Sequence, residues 1–181
     1  MSEFTSEAAL FTSVVDVNTG WSSLPNILSG ADNAATTFRQ TNGWLELNAP
    51  LTPFPGGRPL LPTIVINNIE IQANWRRQGQ LGSGGAVYTR DWKIGAGTPH
   101  DYPTGRNSSN TAYAVSILGG DPAYWGLSQA EAVDFANGDL DFQFRPVMVA
   151  INGSESVSYR WVKAIFQYTY TGSGVAFPVR F

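Results

Sequence analysis

The sequence predicts an all-β fold: a single antiparallel β-sandwich, jelly-roll-like, with one short helix and extended terminal arms. Three observations carry this. Apolar runs are short and are bounded by turn residues about every ten positions. The 181 residues include 19 Gly and 11 Pro, a composition suited to turns rather than long helices. Only one segment carries a convincing helix start, and no helix–strand alternation points to a parallel sheet.

Residues 1–12 read as a polar arm with three apolar handles, Phe4, Leu10 and Phe11. Val14, Val15 and Val17 suggest a first strand, stopped by Asn18-Thr19-Gly20. Residues 21–33 read as loop, with Pro25, Gly30 and Asn33. Trp44, Leu45 and Leu47 mark a strand within 43–51. Pro50, Pro53, Pro55 and Pro59, with Gly56-Gly57, then prevent regular pairing.

The clearest strand spans 63–76. Ile69, Ile71, Ala73 and Trp75 alternate with Glu70, Gln72, Asn74 and Arg76, so one set faces a core and the other faces water. Ile64 and Ile66 are in antiphase with that run, which predicts a turn or bulge at Asn67-Asn68. A glycine-rich turn at 79–85 leads to a strand at 87–94, a long polar loop at 95–110 and a strand at 111–118.

Ser128 can cap a helix, and Glu131 three residues later completes a capping box; Asn137-Gly138 ends the helix. Strands at 141–151 and 157–170 follow, and Asn152-Gly153-Ser154-Glu155 between them reads as a hairpin turn. The last strand is apolar on both faces: Val162, Ala164, Phe166 and Tyr168 on one, Trp161 and Ile165 on the other. A central strand covered on both sides explains this, as does a face that packs on another subunit.

Gly172-Ser173-Gly174 is a hinge. Beyond it Val175, Phe177, Val179 and Phe181 alternate as a strand that either folds back or adds to a neighbour's sheet. The domain organisation is thus an arm at 1–12, one sandwich domain at 13–171 and an arm at 172–181. Self-association, most simply as a trimer, would use Phe4, Leu10, Phe11, Val175, Phe177, Val179 and Phe181.

Composition narrows the function. Charged residues make up 14% and the net charge is −3, against the basic face a nucleic-acid binder needs. Cysteine is absent, so there is neither a disulfide framework nor thiolate chemistry. No signal peptide is visible, and no apolar run approaches the roughly 20 residues of a membrane span. A protein made in a cytoplasm fits these features.

Catalytic constellations do not stand out. The single histidine, His100, has Asp101 beside it but no nucleophile-elbow motif. One histidine and no cysteine make a zinc site improbable. Asp134, Asn137, Asp139 and Asp141 space oxygen ligands as calcium sites do, but no acidic residue closes an EF-hand loop, and loop and strand-surface roles explain them better. The glycine-rich turn lacks the Gly-Lys-Ser/Thr of a phosphate loop. No enzyme activity, metal or cofactor is expected. The aromatics Tyr88, Trp92, Tyr102 and Tyr113 fit core or loop-anchoring roles. Under an alternative reading, Tyr88, Trp92, His100 and Tyr102 would form a glycan-stacking surface.

The most distinctive stretch is Gly119-Gly120-Asp121-Pro122-Ala123-Tyr124-Trp125-Gly126-Leu127, followed by the polar segment 128–134 and the strand Asp141-Phe142-Gln143-Phe144-Arg145. Trp125 reads as a plug over one end of the sandwich, with flanking glycines permitting a tight path. Together with the upstream run Ile69 to Arg77 and the downstream Tyr168-Thr169-Tyr170-Thr171, this order resembles a β-sandwich domain common in bacteriophage virion proteins. The resemblance covers residues 21–171. It implies a virion location and a structural role, in first place a capsid decoration (cement) protein that binds and stabilises the head shell. The alternative it leaves open is a glycan-binding receptor module on a tail fibre or baseplate, and a polysaccharide lyase or hydrolase is weakest.

Overall fold

The alternating run that dominates the sequence becomes the spine of the protein. In the computed structural model, described for residues 3–6, 8–11, 13–17, 21–29, 35–38, 44–48, 64–78, 86–100, 106–107, 112–149 and 156–170, the elements in chain order are β1 (Glu3–Thr5), β2 (Ala9–Leu10), β3 (Ser13–Val17), β4 (Trp21–Ser22), α1 (Asn26–Ser29), β5 (Ala35–Phe38), β6 (Trp44–Asn48), β7 (Ile64–Gln78), β8 (Ala86–Ile94), β9 (Arg106–Asn107), β10 (Ala114–Gly120), α2 (Gln129–Asn137), β11 (Asp141–Val149) and β12 (Ser156–Tyr170). The fold is all-β, with two antiparallel sheets. A seven-stranded sheet runs β10-β7-β12-β5-β4, with β1 and β2 added on β12; a five-stranded sheet runs β3-β6-β11-β8-β9.

β7 and β12 pair along almost their whole length, from Ser156↔Gln78 to Tyr170↔Ile64. The antiphase of Ile64 and Ile66 is resolved by a bulge. Gln167 faces Asn68 and Tyr168 faces Ile66, so Asn67 is the extra residue. That one-residue step keeps Ile64, Ile66, Ile69 and Ile71 all buried. A second bulge sets Arg160 outside the register between Tyr159 and Trp161.

Rings from both sheets meet in one core. Phe144 of β11 lies 5.0 Å from Tyr159 of β12, and Tyr159 stacks on Trp75 of β7 at 5.9 Å. Phe142 stacks on Phe11 at 5.9 Å, Phe11 meets Phe135 of α2 at 6.4 Å, and Phe135 meets Phe166 of β12 at 5.7 Å. Each ring fully removed from water contributes about 1.5–3 kcal/mol, so this cluster is the main source of cohesion.

The helix forms as its sequence predicts. The Ser128 hydroxyl accepts from Glu131 N, the Glu131 carboxylate accepts from Ser128 N at 2.8 Å, and Gly138 closes the helix in the left-handed region at φ 86. Its apolar residues Ala132, Val133, Phe135 and Ala136 are buried.

Three expectations change. Residues 1–12 are not a free arm: β1 pairs with Glu3 opposite Thr169, and β2 with Leu10 opposite Lys163. These short strands extend the sheet along the flank of β12 beyond the end of β5. β11 and β12 do not form a hairpin. β11 pairs with β6 and β8, whereas β12 belongs to the other sheet. Within 21–33, a loop by its sequence, lie β4 and the one-turn helix α1, whose Ile27 is buried. The proline-rich stretch, the glycine-rich turn at 79–85 and the segment 172–181 lie outside the described residues.

Candidate functional site

The turn from Gly119 to Leu127 is built around Trp125. Its indole is fully buried, and Nε1 donates to the Ile69 carbonyl of β7 at 3.0 Å. The Trp125 carbonyl accepts from Thr98 N at 2.8 Å, which ties in the loop after β8. Gly126 makes this possible. Its φ is +71, and a Cβ there would collide with the Thr98 hydroxyl and main-chain nitrogen. Asp121 Oδ1 accepts from Tyr124 N at 2.7 Å, and Leu127 N donates to the Pro122 carbonyl at 2.8 Å, closing the turn.

Beyond the end of β10, the edge of β7 is sealed by a side chain. Gln129 Nε2 donates to the Ile66 carbonyl at 2.8 Å while its Oε1 accepts from Ile66 N at 3.0 Å. The amide thus takes the place of a neighbouring strand. Val65, Ile66, Asn67, Pro122, Leu127 and Gln129 line an open groove of about 410 Å³ beside this seal. Its polar groups are engaged within the protein: Asn67 donates to Thr169 Oγ1 at 2.7 Å, and Gln129 and Asp121 are held as described. The groove is therefore a seam between turn and sheet.

The outward face of the seven-stranded sheet is different in kind. Pairing sets Val115, Asn74 and Trp161 in one row, Ile117, Gln72 and Lys163 in the next, and Gly119, Glu70 and Ile165 in a third. Leu10 of β2 extends the second row. Val115 and Ile117 are 46% and 50% exposed, the two most exposed large apolar residues among those described. Trp161 and Ile165 are half-buried, and Lys163 Nζ sits 4.6 Å from the centre of the Trp161 ring. At the end of the face the guanidinium groups of Arg76 and Arg160 lie 4.5 and 3.9 Å from the centre of the Tyr113 ring. Tryptophan, tyrosine and arginine beside exposed aliphatics are the residues that dominate binding energy at protein interfaces.

The residues named from sequence scatter. Phe11 is no surface handle: it is 3% exposed and stacks in the core. Leu10 remains on the outward face, half-buried, and Phe4 pairs through its backbone with Tyr168. Trp92 is not available to stack on a sugar. It is fully buried, edge-on to Phe142 at 5.6 Å, because the alternation of β8 points it with Ile94 into the core. His100 exchanges main-chain hydrogen bonds with Trp92, both at 2.9 Å. Its ring lies flat on Tyr124 at 4.0 Å, and Nε2 donates to the Tyr124 carbonyl at 2.7 Å. Both partners thus engage each other. Tyr88 lies within β8, while Tyr102, Val175, Phe177, Val179 and Phe181 fall outside the described residues.

Among the described residues, no three His, Cys, Asp or Glu side chains converge as a metal site. The Asp134 carbonyl accepts from Asp139 N at 2.9 Å, which serves the end of α2, and burial pushes the Asp141 carboxyl above its usual range. The sequence reading missed Val115 and Ile117 as exposed residues. Their signal was present: they alternate with Ala114, Ser116 and Leu118, and Ser116 is turned inward to accept from Trp75 Nε1 at 2.8 Å.

No protein-family model and no curated protein sequence matches this chain. The functional reading rests on the residues themselves.

Proposed function

We propose that this chain is a non-enzymatic structural protein of a bacteriophage virion, with its two sheets stacked as a jelly-roll-like β-sandwich, and that it decorates and cements the head shell. The observation that carries the reading is the outward face of the seven-stranded sheet. It presents Val115, Ile117, Trp161 and Ile165 with Tyr113 and two arginines, a surface suited to protein rather than to a small molecule. The resemblance of the Gly119–Leu127 turn and its flanking strands supplies the virion context. Partners are further copies of the chain, as a trimer, and the proteins of the shell; the reading needs no nucleic acid, membrane, metal or cofactor.

The tail-fibre or baseplate glycan-binding reading is less well supported, because Trp92 is core and His100 and Tyr124 cover one another. The two readings separate by experiment. Purified chain should sediment as a trimer and co-sediment with head shells stripped of their surface proteins. A chain that binds carbohydrate but neither itself nor shells would favour the receptor module.

A further inference from the structure

Among the described residues, the strand that ends the seven-stranded sheet beside β7 has no partner on its outer side. β10 pairs with β7 on one side only, and among the described residues no strand meets its other side. About half of its N–H and C=O groups therefore point away from the sheet. Natural edge strands are blunted by proline, charge or bulges. The β10 sequence Ala-Val-Ser-Ile-Leu-Gly-Gly has neither proline nor charge, its pairing with β7 is unbroken, and Val115 and Ile117 stand exposed beside it. By contrast, the adjoining edge of β7 is closed by Gln129. On this side of the sheet, and among the described residues, the edge left open is thus confined to β10.

The sequence contains a segment whose pattern would fit this edge as an added strand. Residues 175–181 read Val-Ala-Phe-Pro-Val-Arg-Phe. Successive residues of a strand aim their main-chain groups to opposite sides, so Ala176, Pro178 and Arg180 share one side and Val175, Phe177, Val179 and Phe181 the other. Pro178 has no N–H and is tolerated only on the free side of an edge strand. The strand can then pair through its apolar residues alone, and its proline side becomes the new edge, which stops further addition. In an antiparallel register that sets Phe177 opposite Ile117 and Val179 opposite Val115, aromatic and β-branched side chains meet on the outward face.

The same chain cannot supply this strand in that register. Tyr170 pairs with Ile64, and Gly119, the position that Val175 would face, pairs with Glu70 six residues further along β7. From Tyr170 to a place beyond β10 is about 14 Å across three strand spacings and about 20 Å along them. The five residues from Tyr170 to Val175 span at most about 18 Å. A fully paired strand from the same chain therefore falls short.

We infer that the free edge of β10 accepts residues 175–181 of a neighbouring copy of this chain by strand addition, with Pro178 capping the extended sheet. The inference rests on the self-association proposed above and names its contact. A head-to-tail exchange of this kind gives a ring when the rotation between copies closes, as a trimer requires.

The absence of cysteine makes the test clean. Chains carrying Ile117→Cys and chains carrying Phe177→Cys, distinguished by tags, are co-expressed, checked for melting, and treated with a short bis-maleimide. The expected result is a covalent pair containing one chain of each kind. Val115→Cys with Val179→Cys repeats the test should the first pair fold poorly. Three outcomes would each overturn the inference while leaving self-association intact. These are coupling only between two chains that both carry Phe177→Cys, coupling only between two chains that both carry Ile117→Cys, and no coupling in chains that sediment as oligomers. Chains that sediment as monomers would overturn both.

Discussion

The indole of Trp125 donates to the main-chain carbonyl of Ile69 across 56 positions of sequence, at 3.0 Å and fully buried. This bond fastens the turn after β10 to β7, the strand next to it in the larger sheet. It fixes where β10 ends, and so where the open edge and its exposed face end.

Trp125→Ala should destabilise the protein by about 3–5 kcal/mol, the usual cost of emptying a buried tryptophan site. Trp125→Phe should cost less, because it loses the bond to Ile69 and part of the volume but keeps a ring. Chemical denaturation of both variants checks the order. A loss below about 0.5 kcal/mol for the alanine variant would place the ring at the surface.

Gly126→Ala tests the tight path that brings the indole inward. Its φ of +71 disfavours any side chain, and the new Cβ would press on Thr98. A cost of about 1–3 kcal/mol is expected. An unchanged melting temperature would mean that the turn follows a different path.

The capping box gives a pH-dependent signature. Hydrogen bonds from the Ser128 backbone and then its side chain hold the Glu131 carboxyl below its usual value of 4.5. A depressed acid contributes stability that is present above about pH 4.5 and lost as pH falls below it through the folded-state value. Ser128→Ala should cost about 0.5–2 kcal/mol at neutral pH and flatten that acid-side decline. A decline of unchanged slope in Ser128→Ala would assign it to other carboxylates.

Removing residues 172–181 should leave the isolated domain melting within about 0.5 kcal/mol of the intact chain. Association should weaken by at least about a hundredfold, since burial of two phenylalanines is lost. Sedimentation over a concentration series reads the second effect. A truncated chain that melts much lower yet still assembles would show that the segment completes its own domain.

Local signals were legible where one rule acted alone. β7 followed from strict alternation, its bulge from the antiphase of Ile64 and Ile66, and α2 from Ser128, Glu131 and Gly138. What sequence did not reveal was which strands share a sheet. Asn152-Gly153 reads as a hairpin, yet β11 and β12 part to different sheets, because tertiary pairing and not turn chemistry decides a strand's neighbours. β1 and β2 are too short to show a period, so their docking on β12 was invisible. Trp92 resembles the loop aromatics in its polar surroundings, although its alternation with Ile94 already pointed it inward. The exposed face was only half legible. Trp161 and Ile165 stood out on the last strand, but Val115 and Ile117 became meaningful once β10 was known to be an edge.

The virion role is best tested by counting copies of the chain in purified particles, by quantitative mass spectrometry against a labelled standard. A cement protein of the head should be present in hundreds of copies per particle and in the same proportion in tailless heads. A few to a few dozen copies, all lost with the tail, would contradict the head-shell role and favour the receptor module. Absence from the particle would contradict the virion reading altogether.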